Sequence, residues 1–220
     1  MRRKFASSKA DLLNPATRCI KMGINNVTLL HDSTSGCYRY LLGFRSSKIL
    51  EYPYAYHVVP AGTFEPSKKT YFFDQLEGEP FGNVLRELYE ECFLGEKKEA
   101  YDKNPSPLSE VIKERELAFI YNNRNDKNKV EFKIAGVYFD YFSPKVEMTT
   151  CLVVHDPDYY RDLESDNKLI SNWEYGGDIL KEPFTKSGVE RWINSKNMLT
   201  IGSIALDDAV NVFPALLHKD

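Results

Sequence analysis

Three glutamates, Glu87, Glu90 and Glu91, lie within five positions and follow directly on Arg86. Wound as a helix at about 100° per residue, they occupy one flank about 100° wide. Like charges at i,i+3 and i,i+4 repel by a few tenths of a kcal/mol per pair. Such a flank therefore faces water, is offset by Arg86, or holds a cation. Mg²⁺ (or Mn²⁺) suits the third case, because a hard ion takes carboxylate oxygens, keeps several waters and shares them with substrate phosphates. A solvated acidic face with Arg86 paired to Glu90 at i,i+4 accounts for the same spacing.

The element that must carry these groups is legible around them. Phe81, Val84, Leu85, Leu88 and Cys92 form one apolar stripe at helical spacing, so residues 81 to 95 read as an amphipathic helix beside whose buried face the acids sit. Pro80 suits its first turn, where a missing N–H costs nothing. Gly95 can supply a left-handed residue at its end. Upstream, His57 to Pro60 reads as a strand, followed by a turn at Ala61, Gly62 and Thr63.

Arg86-Glu87-Leu88-Tyr89-Glu90-Glu91 resembles the core of the Nudix hydrolase box, G-x5-E-x7-R-E-U-x-E-E-x-G-U, with U a bulky aliphatic. The run His57 to Pro66 resembles the strand and glycine loop that lead into that box. Gly62 lies 24 residues before Arg86, about ten more than the pattern has, so the spacer Ser67 to Glu79 holds an insertion. The box's first glutamate then has three possible counterparts, Glu65, Glu77 and Glu79. Phe93 stands where the pattern has glycine, while Leu94 keeps the aliphatic place.

The resemblance implies an α/β fold, a Nudix-like α/β/α sandwich with a mixed β-sheet over roughly residues 24 to 215 of a single domain. It implies Mg²⁺ (or Mn²⁺) held by Glu87, Glu90 and Glu91, with Glu90 and Glu91 the principal ligands and Glu87 a ligand or proton acceptor. Arg86 would orient the carboxylates, and Gly62 and Glu65 would border the substrate. Glu147, Glu174 and Asp178 are candidates for an acid from outside the box. The implied activity is cleavage of a diphosphate bond in a nucleoside diphosphate derivative. The alternative is a Nudix-like domain that binds a nucleotide-like ligand without turnover, as a sensor or interaction module.

Composition narrows the rest. The 220 residues carry a net charge of −3, which gives no general attraction to nucleic acid, and no basic stripe stands out. No segment approaches the roughly 18 apolar residues of a membrane span. Met1-Arg2-Arg3-Lys4 lacks the apolar stretch of a secretory signal. Cys19, Cys37, Cys92 and Cys151 show no C-x-x-C pair, so they read as reduced thiols in a cytoplasmic protein. His31, His57, His155 and His218 have no metal-ligand spacing.

Along the chain, Ile24 to Leu30 and Cys37 to Arg45 read as a hairpin across the turn at Asp32 to Gly36. Tyr52, Tyr54 and Tyr56 either stack on a base or alternate at the period of a strand. The aromatic run Tyr71-Phe72-Phe73 in the insertion suggests a loop that packs over something, a lid being one candidate. Beyond the box the sequence predicts a loop from Glu96 to Pro107, a helix from Pro107 to about Glu116 and a strand from Leu117 to Tyr121. A second hairpin, Val130 to Phe142 and Val146 to His155, follows. Ser187 and Glu190 form a capping-box pair for a helix over 188–195, and a last helix covers 203–212. A homodimer through exposed sheet edges is a reasonable assembly.

Overall fold

The computed structural model describes residues 22–64, 75–140 and 145–219. Its centre is the strand β1, Met22–Asp32, which is buried on both faces. β1 turns through residues 33–36 into β2, Cys37–Phe44, and the two pair antiparallel from Leu29↔Tyr40 to Asp32↔Cys37. Gly36 takes φ +67° in that turn, where its lack of a Cβ removes the strain. The predicted hairpin is present.

Below Leu29 the two strands diverge, and the following segment fills the fork. β3, Tyr56–Val58, pairs with β2, and β4, Ala61–Thr63, pairs with the first half of β1. Between them Asn26 N–H donates to the Pro60 carbonyl at 2.9 Å, and the Thr28 hydroxyl donates to the Val59 carbonyl at 3.2 Å. The glycine loop is thus tied to the sheet by its backbone.

On its other edge β1 runs parallel to β6, Lys145–Val154, which pairs antiparallel with β5, Val130–Asp140. β7, Leu180–Pro183, adds to the far side of β2. The sheet is therefore mixed, in the order β3-β2-β1-β6-β5 with β4 and β7 attached. The parallel pairing joins residues 124 apart in sequence, and no local signal announces it.

Period-2 alternation sends successive side chains of each strand into different layers. Ile24, Leu30, Leu41, Leu152 and Val154 face the helix α1, Pro80–Cys92, and pack with its Val84, Leu85 and Leu88. Val27, Leu29, Tyr40, Leu42, Cys151 and Val153 face the opposite layer, formed by α6, Lys186–Ile193, and α7, Thr200–Val212. This is the expected α/β/α sandwich. α1 begins on Pro80 as predicted, and Gly95, three residues past its end, takes φ +53°.

Four local expectations are corrected. The stretch predicted as the strand Leu117 to Tyr121 is the helix α4, Arg115–Asn122, whose Leu117 and Ile120 are buried. That spacing of three is a helical face, which the run of apolar and aromatic types conceals. The predicted helix from Pro107 shortens to α3, Leu108–Val111. The predicted loop after Gly95 contains α2, Lys98–Lys103. The cap of α6 is Thr185, whose hydroxyl accepts from Gly188 N–H at 3.1 Å, rather than Ser187. A helix that the sequence reading passed over, α5, Pro157–Ser165, starts on an Asp156 cap. The lid suggested for 67–79 and Glu65 lie outside the described residues, apart from a 3₁₀ turn at Gln75–Gly78. Among the described residues no helix is long and apolar enough to cross a membrane.

Leu85 is fully buried between α1 and the sheet. Leu85→Ala should lower the unfolding free energy by about 2–5 kcal/mol, read from the urea midpoint at unchanged slope.

Candidate functional site

α1 packs on the sheet through its apolar stripe, and the same docking brings its acidic flank against the glycine loop. A Cβ placed on Gly62 would lie 2.2 Å from Glu87 Oε2, so the loop passes so close that any side chain there must displace the carboxylate. One turn further, Glu91 Oε2 accepts from Ala61 N–H at 3.1 Å and from the Tyr175 hydroxyl at 2.6 Å. Glu87 and Glu91 therefore both face residues 61–62, and each is extensively buried.

Glu90 looks elsewhere. Its Oε2 is 2.5 Å from Lys98 Nζ and its Oε1 is 3.8 Å from Arg86 Nε. Lys98 also holds Asp102 at 2.6 Å and lies 4.0 Å from Glu174. Arg86 meets Glu87 at 3.3 Å. The three box glutamates are thus sorted, with Glu90 compensated by two cations and Glu87 sharing one of them. Glu91 accepts hydrogen bonds from neutral donors.

The titration behaviour follows this sorting. Burial, and then the charge of Glu90, push Glu87 up to about 7 against the pull of Arg86. Burial holds Glu91 well above the usual carboxylate range, with Glu174 and Glu87 adding to it and the Tyr175 and Ala61 donors opposing. Glu174 is also raised, mainly by burial, although Lys98 pulls it down. Lys98 is raised because Glu90 and Asp102 outweigh its own burial. Carboxylates whose protonation is favoured in this way mark a deficit of positive charge.

Of the acids proposed from outside the box, only Glu174 joins the cluster. Its loop is pinned there, since Asn172 Nδ2 donates to the Glu90 carbonyl at 2.8 Å and Ser46 N–H donates to the Glu174 carbonyl at 2.8 Å. Glu147 alternates with Met148, which faces α1, and so lies on the opposite sheet face, bonded to Asn25 at 2.9 Å and Lys145 at 2.9 Å. Asp178 is exposed, as is Glu79, the residue before α1. Glu65 and the side chain of Glu77 lie outside the described residues. The sequence reading missed Lys98, Asn172 and Tyr175. They reach the site from beyond a chain reversal or from a distant loop, where spacing carries no signal.

Among the described residues no group of three or more His, Cys, Asp or Glu side chains forms a metal cage. A magnesium site does not require one, because that ion is commonly held by one or two carboxylates together with substrate phosphates and water. Glu87 and Glu91, one helical turn apart, oxygen donors only and short of counter-charge, fit that demand.

A scan against family models finds no match, and a search of curated proteins finds none. A solved structure does share the fold. A Nudix hydrolase from Alicyclobacillus acidocaldarius superposes with a TM-score of 0.53 at 13% identity, covering 90% of this chain and 96% of that one. The Nudix domain of Shewanella oneidensis NrtR, in complex with ADP ribose, gives 0.47 at 12% identity over 94% and 99%. A C. elegans Ap4A hydrolase gives 0.45 at 13% over 89% and 99%. The chain has the Nudix fold.

Two outcomes follow from the charge arrangement. Lys98→Met leaves Glu90 with Arg86 alone and removes the partner of exposed Asp102, and should cost about 1–3 kcal/mol in denaturant unfolding, with Lys98→Arg recovering part of the loss. Glu87 binds its proton in the folded state up to about pH 7 and in the unfolded state only to its ordinary value near 4.5. Between those pH values the folded state binds more protons at Glu87, so its contribution to metal-free stability falls as pH rises through this window. Tm measured in EDTA from pH 4.5 to 8 should show the fall, and Glu87→Gln should reduce it, with Glu91 and Glu174, also raised, supplying the remainder.

Proposed function

We propose that the chain is a Nudix-type, Mg²⁺-dependent hydrolase that cleaves a diphosphate bond in a nucleoside diphosphate derivative. The observation that carries the reading is the pair Glu87 and Glu91, buried one turn apart against Ala61 and Gly62 with their pKa values raised. Two such carboxylates have no structural need for each other, and each makes the other costlier to ionise.

Mg²⁺ held by Glu87 and Glu91 would neutralise phosphate charge and lower the pKa of a bound water, the two things that phosphoanhydride hydrolysis demands. The chain's own groups supply the frame. Arg86 clamps Glu87 from one side while Gly62 leaves room on the other. Ala61 N–H and the Tyr175 hydroxyl fix the direction of Glu91. Glu90, already neutralised by Lys98 and Arg86, acts in this proposal as a positioning residue and not as a principal ligand. Its pairing fastens α2 and the Glu174 loop to the box helix.

The test is nucleoside monophosphate release from a panel of nucleoside diphosphate derivatives, with Mg²⁺, Mn²⁺ or EDTA. Turnover should require the divalent ion and fall by at least about 10²-fold in Glu87→Gln and in Glu91→Gln, while Glu90→Gln should lose chiefly stability. Mn²⁺ binding followed by electron paramagnetic resonance should weaken in the first two variants and persist in the third. No turnover on any compound, together with nucleotide-induced stabilisation that is the same in Glu87→Gln, would leave a ligand-binding domain instead.

A further inference from the structure

The loop that carries Glu174 into the acid cluster carries Trp173 immediately before it. Hydrogen bonds hold the backbone of this pair. Ser46 Oγ donates to the Trp173 carbonyl at 2.9 Å, and Glu174 N–H donates to Asn172 Oδ1 at 2.8 Å. Asn172 in turn holds the backbone of α1 at Glu90. An aromatic side chain is thus set on a rigid turn bonded to the box helix itself.

Trp173 borders an open groove of about 340 Å³, lined also by Lys48, Glu99, Asp102 and Lys103. Its position relative to the site is given by Asp102, which forms one wall and at the same time contacts Lys98, the cation shared with Glu90. The groove therefore lies on the Glu90 side of the box helix, with the Lys98–Asp102 pair between it and Glu87 and Glu91. Its lining combines a flat apolar indole, two ammonium groups and two carboxylates, an assortment that suits a nucleoside. The ring can stack on tryptophan, sugar hydroxyls can donate to Asp102 and Glu99, and Lys48 and Lys103 favour an anionic backbone.

We propose that this groove is the subsite for the nucleoside end of the substrate, with Trp173 as its stacking platform. The proposal rests on the hydrolase reading for its substrate, though binding can be measured without turnover. It gives the scissile bond a direction, with the base beyond Lys98 and the diphosphate toward Glu87 and Glu91. Stacking accepts any base, so the subsite selects for the presence of a base more than for its identity.

The chain has two tryptophans, Trp173 and Trp192, which makes the test direct. In a Trp192→Phe background, fluorescence reports on Trp173 alone. With Mg²⁺ present, AMP and UMP, which contain no phosphoanhydride to cleave, should quench it saturably, while ribose 5-phosphate, lacking the base, should not. Trp173→Leu should weaken AMP binding by about 5- to 150-fold by calorimetry, and Trp173→Phe, which keeps an aromatic face, should restore most of it. On any substrate that is turned over, Trp173→Leu should raise KM and leave kcat within about threefold. Absence of quenching, or equal loss of AMP affinity in the Leu and Phe variants, overturns the subsite. Saturable, base-dependent quenching in a protein that turns over nothing would retain the subsite and discard the hydrolase; turnover with a KM indifferent to Trp173→Leu would do the reverse.

Discussion

The structure is governed by the cost of docking a helix whose apolar stripe adjoins three carboxylates. α1 must bury Val84, Leu85 and Leu88 on the sheet, and that motion drags Glu87 and Glu91 out of water. Burying an unpaired carboxylate is expensive, and the expense is met by neighbours or by protonation. Each neighbour found here answers that demand. Lys98 and Arg86 take Glu90, and backbone and hydroxyl donors take Glu91. The fork between β1 and β2 exists to bring one such donor, since β4 carries Ala61 to the helix only because the strands part below Leu29.

Legibility in the sequence tracked the range of the interaction. The stripe of α1, Pro80 at its start, Gly95 beyond its end and both hairpins were readable, because each is settled within a few residues. The acidic flank was readable for the same reason. α4 was misread because Leu117 to Tyr121 is rich in residues that favour strands, and only its burial at Leu117 and Ile120 reveals the helical period. The parallel pairing of β1 with β6, by contrast, depends on closing a long loop, and nothing in either strand names its partner.

At the site the division is sharper. Composition and spacing place three glutamates on one flank, but they cannot say which of the three is compensated. That depends on Lys98, which lies past a helix end and the left-handed Gly95, so its distance from Glu90 in sequence bears no relation to any helical period. It depends equally on the loop of Asn172 and Tyr175, more than 80 residues downstream. Three residues that look equivalent in one dimension are made unequal by partners from elsewhere.

On the proposed reading, that inequality separates the groups that would hold the metal from those that would bind the nucleoside. The glycine loop, Glu87 and Glu91 form a unit held by the Ala61 N–H, the Arg86 guanidinium and the Tyr175 hydroxyl. The loop at 172–175 joins this unit through Asn172 and Tyr175 while presenting Trp173 away from it, toward the groove. If the groove is the nucleoside subsite, a change at 173, 48 or 103 alters what is bound and leaves the Asn172 and Tyr175 hydrogen bonds in place. Because Lys98 and Asp102 form the wall between the two regions, a substitution there would disturb both at once. On that reading the boundary between recognition and the box helix is the pair of buried Lys98 with exposed Asp102, and its geometry sets how independently the two can vary.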